Sequence, residues 1–97
     1  MLVIVSYDVS TQTPQGRSRL RRVARACKDY GQRAQNSVFE CNLEYATWVV
    51  LRQRLLSVAN LNEDSLRFYF LGNNWKGKVE HHGSKPTLDL AGDTLIL

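Results

Sequence analysis

The sequence predicts an α+β fold, an antiparallel sheet with two helices on one face, in the order β-α-β followed by α-β-β. Three observations carry this. An unbroken apolar run opens the chain, two later stretches repeat apolar residues at spacings of three and four, and the remaining segments alternate or are rich in aromatics. With 97 residues, 43% hydrophobic and 23% charged, the chain has the balance of one globular domain over residues 1–97 rather than of a disordered segment. So small a core gains from burying apolar area against a second copy, so a homodimer is expected.

Leu2 to Tyr7 form an apolar, β-branched run that reads as a central strand, with Asp8 at its exit. Ser10 to Gly16 collect Ser, Thr, Gln, Pro and Gly and predict a loop. From about Arg17 to Tyr30, Leu20, Val23, Ala24, Cys27 and Tyr30 form a helical stripe with basic residues between them, and Gly31 supplies the stop. Asn36 to Leu43 alternate as one half-buried strand, with Ser37, Phe39, Cys41 and Leu43 on one face.

Trp48, Leu51, Leu55 and Val58 give a second helical stripe over roughly Tyr45 to Asn60, followed by the polar connection Asn60 to Asp64. Ser65 to Leu71 read as a strand, Gly72-Asn73-Asn74 as a turn, and Lys78 to His82 as a returning strand. Units of this kind give the split β-α-β, or ferredoxin-like, layout. The apolar tail Asp93 to Leu97 reads as an extra C-terminal strand suited to a neighbouring subunit's sheet edge.

A formal charge of +4 favours anionic partners, and its distribution sharpens the expectation. Arg17, Arg19, Arg21, Arg22, Arg25, Lys28 and Arg33 are more than half of the 13 basic residues, with only Asp29 as an acid among them. Guanidinium groups match phosphate oxygens, so the first helix is expected to touch a nucleic-acid backbone without reading its sequence. Cys27 and Cys41 lack CxxC spacing and occupy apolar positions, which argues against zinc and for reduced thiols in the cytoplasm. The N-terminal run has no basic leader and is too short for a membrane span, so no membrane partner is expected.

Trp48 and Phe39 fall on apolar faces and read as packing residues rather than base-stacking platforms. Adjacent His81 and His82 point to opposite faces of a strand and read as ordinary surface or edge residues. Ser37 has no triad signature around it. Val38-Phe39-Glu40 departs from the basic-Gly-aromatic pattern of RNA-recognition sheets.

The run Val5-Ser6-Tyr7-Asp8-Val9-Ser10, then Tyr30-Gly31-Gln32-Arg33 leading to Gln35-Asn36-Ser37-Val38-Phe39-Glu40-Cys41, resembles the CRISPR-associated endoribonuclease family, Cas protein two. The likeness continues through Leu66-Arg67-Phe68-Tyr69-Phe70-Leu71 and covers most of the chain. It implies a ferredoxin-like homodimer acting in spacer acquisition, with Asp8 of each subunit near the two-fold axis as ligand to Mg²⁺, or Mn²⁺ in its place. It also implies Tyr7 beside that site and Arg33, Ser37 and Phe39 in support. On the residues alone Asp8 reads as a turn cap; the resemblance turns it into a hard oxygen ligand for a small divalent cation.

Two functions follow from the resemblance. One is a metal-dependent endonuclease on RNA or DNA, using Asp8 and Tyr7, with Arg17, Arg19, Arg22, Arg33 and Ser37 on the nucleic acid. The other is a non-catalytic dimer that binds duplex DNA and holds the subunits of the CRISPR integrase at a fixed separation.

Overall fold

The apolar opening run becomes the middle strand of a five-stranded sheet, β1 (Leu2–Asp8), because it hydrogen-bonds to strands on both edges. The structure is a computed structural model that describes residues 1–72 and 78–84. After β1 come α1 (Pro14–Tyr30), β2 (Gln32–Gln35), β3 (Val38–Asn42), α2 (Tyr45–Val58), β4 (Ser65–Leu71) and β5 (Lys78–Gly83). The sheet order is β2-β3-β1-β4-β5, and every neighbouring pair is antiparallel. This is the expected ferredoxin-like βαββαβ layout, with β5 added outside β4. The strand expected over residues 93–97, and Asn73 and Asn74 of the expected turn, lie outside the described residues.

Strand alternation divides the sheet into two unlike faces. Val3, Val5 and Tyr7 of β1, Phe39 and Cys41 of β3, and Leu66 and Phe68 of β4 join Val23, Ala26 and Cys27 of α1 and Trp48, Leu51 and Leu55 of α2 in one core. Each fully buried Val, Leu or Phe contributes about 1.5–3 kcal/mol of transfer free energy. Trp48 packs edge-on to Phe68 and Phe70, with centroids 4.8 and 5.7 Å apart, so it is a packing residue as expected. Both cysteines are buried and unpaired in disulfides; burial pushes the Cys27 thiol up to about 12 and the Cys41 thiol up to about 11. Neither is a thiolate near neutrality.

Three expectations need correction. Helix α1 starts at Pro14, not Arg17, because proline at the first turn gives up no hydrogen bond and Thr13 caps the end, its Oγ1 accepting from Gly16 N at 3.0 Å. The single strand expected over residues 36–43 is a hairpin: β2 precedes it, Asn36 and Ser37 turn, and β3 returns. Ser37 adopts a left-handed φ of 64° in that turn, so it belongs to the turn and not to a strand, although its side chain stays on the sheet side of Tyr7. Helix α2 ends at Val58, two residues short of Asn60.

Two glycines set the spacing around the exit of β1 and the end of α1. A Cβ on Gly16 would lie 1.9 Å from the Ser10 carbonyl oxygen, so glycine lets α1 press against the chain two residues beyond Asp8. Gly31 ends α1 as expected, yet its backbone is extended (φ −157°), not left-handed. It is needed for room, because a Cβ there would meet Glu40 O at 2.4 Å and Cys41 Sγ at 2.6 Å.

Candidate functional site

Tyr7 and Asp8 are neighbours on β1, so the pleat sends them to opposite faces. Asp8 is exposed at the strand end, on the face that carries no helix, and pairs in register with Ser65. Tyr7 is 5% exposed and belongs to the helix-side core, its ring stacked on Phe39 at 6.2 Å. Burial pushes the Tyr7 phenol up, with Cys27 adding to it, while Arg33 and a hydrogen bond to Ser37 work in the opposite direction. A phenol held protonated is a donor, not a proton acceptor, at neutral pH.

The residues expected around Tyr7 do meet, but on its side of the sheet. Tyr7, Arg21, Arg33, Asn36 and Ser37 line a cleft of about 310 Å³, and Arg33 lies over the Phe39 ring at 5.0 Å. The turn at Ser37 is tied to β1 where Tyr7 N donates to Ser37 O at 3.0 Å. Arg33, Ser37 and Phe39 therefore form one constellation with Tyr7, and Asp8 lies on the opposite face of the sheet from it.

The arginines of α1 divide into two sets. Arg19 turns inward: its Nε donates to Asp64 Oδ2 and its Nη2 to Glu63 Oε2, both at 2.8 Å, and its side chain is 13% exposed. The Asp64 carboxylate is buried and also accepts from Ser10 N at 3.0 Å and Asn60 N at 2.9 Å. Burial alone would raise that carboxyl, but Arg19 and the two backbone N–H groups outweigh it and hold it below the usual range. Arg17 is exposed and its Nη1 donates to Thr11 O at 3.2 Å.

Arg21, Arg22 and Arg25 face outward and, with Arg54 and Ser57 of α2, line a cleft of about 500 Å³ between the helices. Asp29 sits at this cluster, accepting from Arg54 Nη1 at 2.8 Å and pairing with Arg25 Nε at 3.6 Å. Arg54 and Asp64 were not singled out in the sequence. Each is a charge in a segment read as an apolar stripe or a polar connection, near Arg52 and Glu63 respectively, and only the fold supplies its partners.

Asp8 offers a hard oxygen donor that suits Mg²⁺ or Mn²⁺, but among the described residues no three His, Cys, Asp or Glu side chains gather as a ligand set. Asp8 fits a divalent cation through few protein oxygens, and a two-fold axis beside it would bring a second. No helix of the described residues is long and apolar enough to cross a membrane.

Comparison with known proteins agrees with this layout. The family model described as CRISPR associated protein Cas2 matches residues 1–79. The chain is 62% identical over all 97 residues to a CRISPR-associated endoribonuclease Cas2 of Chlorobaculum tepidum, with both chains fully covered. It is 53% identical to a CRISPR-associated endonuclease Cas2 of Halalkalibacterium halodurans, over 99% of each chain. A crystal structure of Streptococcus pyogenes Cas2 superposes with a TM-score of 0.69 at 55% identity, covering 78% of this chain and 92% of the other. With the motif, the sheet order and these matches in agreement, the chain belongs to the CRISPR-associated Cas2 family.

Proposed function

We propose that this protein is an endonuclease of the CRISPR system that hydrolyses phosphodiester bonds in RNA or DNA, as a homodimer with Asp8 of each subunit beside the two-fold axis. The observation that carries it is Asp8 itself, an exposed carboxylate at the end of the central strand, on the sheet face without helices. Relatives named endoribonuclease and endonuclease support the activity. A Mg²⁺ or Mn²⁺ ion held by Asp8 would supply positive charge and an activated water. Asp8 holds and orients, and the sheet face receives the substrate backbone.

Asp8→Asn keeps the size of the side chain and removes the charge that retains a hard cation. Cleavage that requires Mg²⁺ and disappears in Asp8→Asn, with folding and nucleic-acid binding intact, is the expected result. Metal-requiring cleavage that survives in this variant overturns the assignment.

A second function rests on a different observation. The arginine cleft between α1 and α2 lies on the side of the helices away from the sheet face of Asp8, so nucleic acid can be bound there without being cut. We read this as the surface on which the dimer, in the cytoplasm, carries duplex DNA for the CRISPR integrase. Retention of spacer integration by Asp8→Asn, with loss on replacing Arg21, Arg22 and Arg25, is the outcome that separates this scaffold role from chemistry.

A further inference from the structure

The face of the sheet that carries Asp8 also carries a guanidinium with a defined orientation. In register, Asp8 lies opposite Ser65 and Ser65 opposite Gly83; two residues along, Ser6, Arg67 and His81 make the adjacent row on the same face. Arg67 thus stands diagonally from Asp8, with about 7–8 Å between Cα atoms, well within the reach of an arginine. The other basic residues of the described strands point elsewhere: Arg33 lies over Phe39, and Lys78 pairs with Phe70, both on the helix side.

Arg67 is held through its Nε, which donates to His81 Nδ1 at 3.2 Å. His81 Nε2 lies 3.3 Å from Gly83 O, a carbonyl that only accepts, so Nε2 carries the proton and Nδ1 keeps its lone pair for Arg67. Anchoring at Nε fixes the plane of the guanidinium and so the direction of its Nη1/Nη2 fork, the part that matches two phosphate oxygens.

Hydrolysis of a phosphodiester joins a water oxygen to phosphorus, breaks one ester P–O bond and passes the water's proton to the departing oxygen. Negative charge gathers on the phosphoryl oxygens meanwhile, and Asp8, itself anionic, cannot offset it. The geometry points to Arg67 as the residue that binds the scissile phosphate at the Asp8 site, with His81 as its positioning residue. This rests on the proposed Asp8 nuclease, from which it is separable by experiment.

Arg67→Met should lower kcat by about 10²- to 10³-fold with KM changed only a few-fold, as when one charge-stabilising donor is removed. Arg67→Lys, which keeps the charge without the fork, should fall between this variant and the wild type. His81→Ala should move activity the same way, and His81→Asn, whose Oδ1 can accept in place of Nδ1, should restore it; loss without that rescue overturns the positioning role. Independently of cleavage, titration with inorganic phosphate should shift the Arg67 Nε–H resonance in the ¹H–¹⁵N spectrum to saturation. If Asp8→Asn is inactive while Arg67→Met cuts at the wild-type rate, or if phosphate leaves the resonance in place, Arg67 is not the phosphate ligand. If Asp8→Asn itself cuts normally, the nuclease assignment falls, and the phosphate titration alone decides for or against Arg67.

Discussion

Arg19 Nε and Asp64 Oδ2 lie 2.8 Å apart in a pair that joins α1 to the start of β4, and the same carboxylate holds the backbone of Ser10, two residues past Asp8. Three segments thus converge on one buried anion. Asp64 is buried, while Arg19 keeps some exposure and a second partner in Glu63, so removing the carboxylate chiefly leaves the Ser10 and Asn60 N–H groups unsatisfied, at a cost of about 1–3 kcal/mol. Asp64→Ala is expected to lose stability on that scale in urea unfolding. Arg19→Ala should also destabilise while leaving the salt dependence of DNA binding unchanged; a flattened salt slope in Arg19→Ala would return this arginine to the nucleic-acid surface.

The same carboxylates predict the response to acid. Burial tends to raise both Asp64 and Glu80, but Arg19 holds Asp64, and Arg52 with His82 holds Glu80, below their ordinary values of 3.8 and 4.5. A carboxyl depressed by folding adds stability that is complete above its ordinary pKa and is lost as pH falls through the lower folded value. Unfolding free energy from these groups should therefore be steady from neutral pH down to about 5 and decline below about 4. Asp64→Asn should lose the Asp64 share of that decline, measured by urea titrations at several pH values.

The fold was legible in the sequence where apolar periodicity was strong, and the site where a motif was. Leu2 to Tyr7, the stripe of Trp48, Leu51 and Leu55, and the burial of Phe39 and Cys41 all follow from patterns that local physics enforces. Strand β2 escaped because Gln32, Arg33, Ala34 and Gln35 are all exposed, so no alternation marks them. The start of α1 was misplaced because Pro14 and Gly16 suit a loop as well as a helix start. The family resemblance put Tyr7 beside Asp8, whereas the pleat of β1 sends the two side chains to opposite faces of the sheet. The inward turn of Arg19 and the bond between Arg67 and His81 depend on residues 45 and 14 positions away, and no local pattern reports such pairs.

The outward arginines should govern binding to duplex DNA. For each phosphate that the protein no longer neutralises, the slope of log affinity against log salt falls by about 0.9. Replacing Arg21, Arg22 and Arg25 together by alanine should therefore flatten the slope by about one to three of these increments. Asp29→Asn should act in the opposite direction, because it removes the acid that pairs with Arg54 and Arg25 and turns their charge toward the DNA. Fluorescence anisotropy with one duplex at several salt concentrations measures both, and weaker binding by Asp29→Asn would show that this acid orders the cleft rather than competes with it.

A metal shared across a two-fold axis, as proposed for Asp8, would make activity depend on the composition of the dimer. In the proposed nuclease, a site at the axis would draw one Asp8 carboxylate from each subunit. Mixing wild-type and Asp8→Asn subunits one to one, by co-expression with two affinity tags or by joint refolding, produces about a quarter wild-type dimers, about half mixed dimers and about a quarter doubly substituted ones when pairing is random. If each subunit cut on its own, activity would fall to about a half. A shared site predicts about a quarter, with the purified mixed dimer inactive although it binds nucleic acid as the wild type does. A mixed dimer that retains half the wild-type rate would place a complete site in each chain, and the second carboxylate would then have to be dropped from the mechanism.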